Sequence, residues 1–226
     1  MPDIEQVRPL SEILLPDPWH RHLGILPEKQ YARLTEIKLN EAAPEDVRQL
    51  FETAKNLSLY SWFVYRFHPV ASFIAYSCLE AALRPLALAD PTFPKQARPN
   101  WFPKFGDMMN HAVSKGWIRN QGFENARHVA RARARHRALI EQIEEMNAQG
   151  IDRMESREPT IEAIEAELAT LPYARNLAKN IPDLRNVVAH GHRFLDAGSI
   201  SVISLVAEAI NQLYPAVAGD GQATAI

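Results

Sequence analysis

Apolar residues fall at helical spacing along most of this chain. Val47, Leu50, Phe51, Ala54 and Leu57 recur every three or four positions, the period of a helix with one buried face. Pro44, Glu45 and Asp46 just before them suit a helix start, because proline presets φ and acids complement the positive end of the helix dipole. A second helix is expected over 60–84, bent at Pro69. It is apolar nearly all round, as a central buried helix is. More helices are expected over 105–117, 124–148, 160–169, 173–188 and 199–214. The last of these carries Ile203, Val206, Ile210 and Leu213 on one side. A proline-rich loop at 90–103 and a second break at 151–159 separate them. Residues 1–42 read differently. Pro9, Pro16, Pro18 and Pro27 interrupt any long helix, and 32–39 roughly alternates apolar with polar residues, as a short strand does. The expectation is an all-α bundle of about six helices over 43–226, with a short irregular or β-containing N-terminal extension over 1–42.

Composition narrows the function classes. With 46% hydrophobic and 23% charged residues, the 226-residue chain is of globular type. A net charge of -2 gives no overall basic excess, so attraction to nucleic acid has to come from local clusters. One such cluster is Arg127, Arg131 and Arg135, repeating every four residues with Arg133, His136 and Arg137 nearby. It could track an RNA backbone, or form a solvated face paired with Glu141, Glu144 and Glu145. It has no interleaved aromatics for base stacking. Trp62, Tyr65, Phe67 and Tyr76 are expected in the core.

The single cysteine, Cys78, excludes an internal disulfide and two-cysteine zinc patterns, and its apolar setting predicts burial. His20 and His22 lack a third ligand in register, so no metal site is expected, and no cofactor. Arg66, His68, Glu80 and Arg84 interrupt the most apolar stretch, 57–89, which argues against a membrane span. The acidic N-terminus has no apolar signal core, and a cytoplasmic protein is expected. No Walker loop, dinucleotide fingerprint or nucleophile elbow is present.

The chemistry concentrates in Leu184-Arg185-Asn186-Val187-Val188-Ala189-His190-Gly191. On a helical wheel Leu184, Val187 and Val188 form an apolar stripe. Arg185, Asn186 and His190 lie about 105°, 205° and 245° from its centre, so they are expected to point away from the core. Gly191 suits a helix end, which would place His190 at the negative end of the dipole and raise its pKa. An arginine stays charged and can hold two phosphate oxygens at once. Together the pair supplies what metal-free phosphodiester cleavage needs at minimum. The spacing alone is weak evidence, since Arg131 and His136 repeat it.

In its fuller context, Leu-Arg-Asn followed by two aliphatics and Ala-His-Gly resembles the R-x4–6-H signature of the HEPN superfamily. That superfamily includes many prokaryotic ribonucleases of toxin–antitoxin and phage-defence systems. The segment Ser77-Cys78-Leu79-Glu80-Ala81-Ala82-Leu83-Arg84 is similar to the family's first long helix, and the resemblance spans 44–214. It implies Arg185 and His190 as the catalytic pair, Asn186 as the polar residue beside the arginine, and His192 as a second basic group. It also implies that Glu80 positions Arg185. Further, it implies a homodimer whose two motif helices build one composite cleft. RNA would be cleaved there without metal, through attack of the 2′-hydroxyl. An antitoxin or regulatory protein would be a partner. A catalytically inactive RNA-binding or protein-interaction module is the alternative.

Overall fold

Every regular element among the described residues is helical. Those residues are 6–23, 26–94, 101–189 and 197–216 of the computed structural model, with only the backbone described for 21–23. Among the described residues nine α-helices run in order: α1 (Pro18–Leu23), α2 (Pro27–Glu36), α3 (Glu45–Tyr60), α4 (Phe67–Ala89), α5 (Phe105–Ser114), α6 (Glu124–Gln149), α7 (Ile161–Thr170), α8 (Tyr173–Ala189) and α9 (Ser199–Leu213). The all-α class follows directly. The chain forms two compact units, Met1–Pro91 with Ile181–Ile226, and Thr92–Asn180. The division falls within α8.

The strand expected over 32–39 is instead the end of α2. Pro27 occupies the first turn with Glu28 beside it, and Gln30 and Leu34, four residues apart, are buried. A preset φ and an acid at the helix start outweigh an imperfect alternation. Extended backbone begins only at Ile37 (φ -80°, ψ 115°). Asn211 then clasps the chain: its Nδ2 donates to the Lys38 carbonyl (3.0 Å) and its Oδ1 accepts from the Asn40 amide (2.8 Å).

The helix expected over 60–84 also shifts. Tyr60 ends α3, where the Ser61 amide closes onto the Leu57 carbonyl, and α4 starts only at Phe67. Pro69 therefore sits in the first turn, where its missing N–H costs nothing, and gives no reason for a bend. In the first unit α4 packs against both α3 and α9. Ala71, Ala75, Ala82 and Ala87 are fully buried on it and let the neighbouring backbones approach closely. By length and composition alone α4 could cross a membrane; in the fold, 44% of its apolar window is buried within the protein.

A closed polar circuit joins α3, α4 and α9 inside this unit. Ser61 Oγ donates to the Ser58 carbonyl (2.6 Å), so it accepts from His68 Nε2 (3.0 Å). On the other side of the ring, His68 Nδ1 and Ser199 Oγ share a hydrogen bond (2.7 Å). Ser199 Oγ in turn shares a hydrogen bond with Ser58 Oγ (2.7 Å). His20, 1% exposed, stands beside the circuit with its ring 5.3 Å from that of His68, and its Nε2 donates to the Ser61 carbonyl (2.9 Å).

Burial holds the His20 pKa below 6.5, against the opposite pull of the Ser61 carbonyl and of Asp17. The unfolded chain therefore binds more protons than the native one as pH falls through that value, and stability must fall with it. A denaturation midpoint followed from pH 7.5 to 5.5 should drop, and His20→Gln should flatten the slope. An unchanged slope in the variant would show that His20 is not responsible.

In the second unit α6 buries Ala126, Ala130 and Ala134, one face at four-residue spacing. Gly150 (φ 66°) ends α6 in the left-handed conformation that favours glycine. Asn120 ties the α7–α8 junction. Its Nδ2 donates to the Leu168 and Leu171 carbonyls (2.8 and 2.6 Å), and its Oδ1 accepts from the Ala174 amide (2.9 Å).

Candidate functional site

Ala174, Ala178 and Ile181 are all buried, and they recur along α8 at spacings of four and three. Continuing that stripe gives Arg185 and then Val188, both half-buried. The expected orientation is thus corrected. Leu184 (48% exposed) and Val187 (39%) face outward, and Arg185 lies on the inward stripe. A local wheel drawn on Leu184, Val187 and Val188 misses this, because the register of the face is set upstream by Ala174, Ala178 and Ile181.

An arginine on an inward stripe needs a partner, and α4 supplies it. Arg185 Nη2 lies 3.0 Å from Glu80 Oε2. The guanidinium stacks over the Phe73 ring, 5.5 Å from its centroid, and Nη1 donates to Asn186 Oδ1 (3.3 Å). The other Glu80 oxygen, Oε1, takes Arg84 Nη2 at 3.0 Å. The Glu80 side chain is 14% exposed, that of Arg185 31% and that of Arg84 42%.

One carboxylate is therefore divided between two guanidiniums. Each arginine binds Glu80 end-on through Nη2 rather than side-on through two nitrogens, and among the described residues the buried Nε atoms of both have no hydrogen-bond partner. The trio carries two positive charges and one negative. Its excess charge, with part of both arginine side chains open to solvent, suits an anion with several oxygens, such as a phosphodiester.

Of the residues singled out from the sequence, Glu80, Arg185 and Asn186 come together. His190, His192 and Gly191 lie outside the described residues. Arg127, Arg131 and Arg135 are exposed on α6, in the other unit. Arg127 Nε donates to the Gln121 carbonyl (2.9 Å), and Arg135 pairs with Glu158 (3.2 Å). Of the acids weighed as partners for this stripe, Glu145 pairs with Arg157 at 3.1 Å. Among the described residues no group of three His, Cys, Asp or Glu side chains is placed to hold a metal ion.

Sequence reasoning missed Phe73 as the ring beneath Arg185, and took Arg84 only as an intrahelical partner of Glu80. A signal was present: Phe73, Ser77, Glu80 and Arg84 fall on one face of α4 at spacings of four, three and four. No family model matches the chain, and no curated protein or solved structure is found to match it.

Proposed function

We propose that the chain is a metal-independent endoribonuclease of HEPN type, acting as a homodimer in the cytoplasm. The observation that carries the reading is the clamp on Arg185. A guanidinium is fixed on an otherwise apolar stripe by Glu80, Asn186 and Phe73, with part of its surface open to solvent. Such rigidity is what preorganised stabilisation of developing charge requires. Leu184 and Val187, exposed on the same helix, offer an apolar margin for the α8 of a second copy.

In this reading the ribose 2′-oxygen attacks the adjacent phosphorus and the P–O5′ bond breaks. The products are a 2′,3′-cyclic phosphate and a 5′-hydroxyl end. His190 takes the 2′-hydroxyl proton or protonates the leaving 5′-oxygen, with its counterpart in the second copy serving the other step. Arg185 bears the charge of the phosphorane, Asn186 orients it, and His192 is a second basic group. DNA, lacking the 2′-hydroxyl, resists. A toxin or phage-defence effector held in check by an antitoxin or regulatory protein fits this chemistry.

The test is incubation of purified protein with mixed RNA in EDTA, beside His190→Ala, with the product ends analysed. Cyclic phosphate ends from wild type alone support the reading. Equal cleavage by both samples means contamination and sinks it. RNA binding without cleavage by wild type favours the RNA-binding module.

Glu80 acts here as a positioning residue. Glu80→Gln should lower kcat by about 10- to 100-fold through a misplaced guanidinium, with KM little changed and Glu80→Asp restoring part of the rate. A variant that keeps wild-type kcat would remove Glu80 from the site.

A further inference from the structure

The corner that Asn120 ties holds a polar cavity of about 340 Å³, wholly within the second unit. That volume falls in the range of small-ligand sites. Arg119 and Gln121 line it from the 3₁₀ turn Asn120–Gly122 and its approach, and Arg175 lines it from the first turn of α8.

One side chain sets this geometry. Asn120 bonds the Leu168 and Leu171 carbonyls and the Ala174 amide, so the turn is held against the α7–α8 junction. Arg119 precedes Asn120 and Arg175 follows Ala174. The two arginines therefore flank a single 2.9 Å hydrogen bond and reach one cavity from two elements. The Arg119 stem lies over the left-handed turn at Gly116 (φ 69°), its Cδ 3.9 Å from where a β-carbon on that glycine would sit. A third guanidinium adjoins the same turn, since Arg127 Nε donates to the Gln121 carbonyl at 2.9 Å.

Charge and hydrogen bonding say what the cavity takes. Among the described residues that line it, none is acidic. Arg119 and Arg175 are both exposed, and Arg175 makes no ion pair or side-chain hydrogen bond among the described residues. The Gln121 side-chain amide, half-buried, also makes none there and has N–H groups to offer. Two like charges around one cavity, with no acid in its lining, favour an anion between them. Guanidiniums match the several oxygens of a phosphate better than a single-atom anion. The start of α8 is not itself the site, because Asn120 already accepts from its Ala174 amide.

We propose that this cavity binds the phosphate of a phosphorylated ligand, with Arg119, Gln121 and Arg175 donating to its oxygens. A free nucleotide and an RNA strand both carry such a group, and the test separates them. The site lies in a different unit from Arg185 and does not rest on the ribonuclease reading.

The full chain is titrated with inorganic pyrophosphate in EDTA by calorimetry. Wild type should bind, and its melting temperature should rise with the concentration added. Arg119→Gln and Arg175→Gln should each weaken binding at least about ten-fold, through the loss of a charged donor. Arg175→Lys should recover part of the loss, because an ammonium keeps the charge without the two-pronged geometry. Arg153→Gln, exposed elsewhere in the same unit, should bind as wild type does. The Asn120 bonds stay intact in all of these, so melts without pyrophosphate should match wild type and separate a lost contact from a lost fold.

A short labelled oligouridine, followed by anisotropy, identifies the source. Affinity for it that falls in the same two glutamine variants means that the phosphate arrives on a strand. Arginine-dependent binding of pyrophosphate alone means a free phosphorylated ligand. Binding of both probes unchanged in Arg119→Gln and Arg175→Gln, or of neither by wild type, would overturn the proposal. An equal loss in Arg153→Gln would also overturn it, by reducing the effect to overall charge.

Discussion

Arg185→Ala should lower RNA cleavage in EDTA by about 10²–10³-fold, the usual loss when one preorganised donor to a developing oxyanion is removed. The fold should survive the change. Glu80 keeps its second partner, Arg84, at 3.0 Å, so no buried carboxylate is stranded. Arg185→Leu sharpens the test. It completes the apolar stripe begun by Ala174, Ala178 and Ile181, and the leucine adds buried apolar area while Glu80 stays paired with Arg84. Thermal melts should therefore show Arg185→Leu as stable as wild type, or more so, while single-turnover assays show it inactive. That combination would mean the arginine is kept for chemistry at no benefit to the fold. An unstable Arg185→Leu protein, or an active one, would count against the site.

His68→Leu should cost about 2–4 kcal/mol of stability, read from the urea midpoint. The loss comes from the circuit rather than from packing. With the imidazole gone, Ser199 Oγ loses the ring nitrogen it meets at 2.7 Å, deep in the unit. Ser61 Oγ is less affected, because Gln30 Nε2 still donates to it at 3.2 Å. Pairing the substitution with Ser199→Ala should recover part of the loss, since the stranded hydroxyl leaves with it. The double variant should fall short of the sum of the singles by about 1 kcal/mol or more. Strict additivity would mean the two side chains do not share the bond.

The sequence carried the helical class, because a 3.6-residue period persists in α3, α6 and α9 whatever surrounds them. It failed where a local pattern competes with a long-range one. Residues 32–39 alternate well enough for a strand, but Pro27 starts a helix that runs through most of them. Leu184, Val187 and Val188 look like a core stripe over five residues, yet the buried face of α8 is fixed by Ala174, Ala178 and Ile181, one to three turns upstream. At the candidate site the Glu80–Arg185 pairing was legible through the family resemblance alone. The contact spans 105 residues of chain, and no helical period relates the two positions. The part played by Arg84 and Phe73 became visible only once α4 and α8 were side by side.

Cys78 gives the first unit a built-in clock. Its thiol donates to the Val47 carbonyl at 3.2 Å, and burial pushes its pKa up to about 12, so the native state offers a reagent almost no thiolate. Any reaction with an aromatic disulfide must wait for α3 to part from α4. Where reclosing is faster than labelling, the rate gives the free energy of that opening; where labelling is faster, it gives the opening rate itself. Raising the reagent concentration crosses from one regime to the other. One unmodified residue thereby measures how often the scaffold beneath Glu80 comes apart, without a mutation or an added dye.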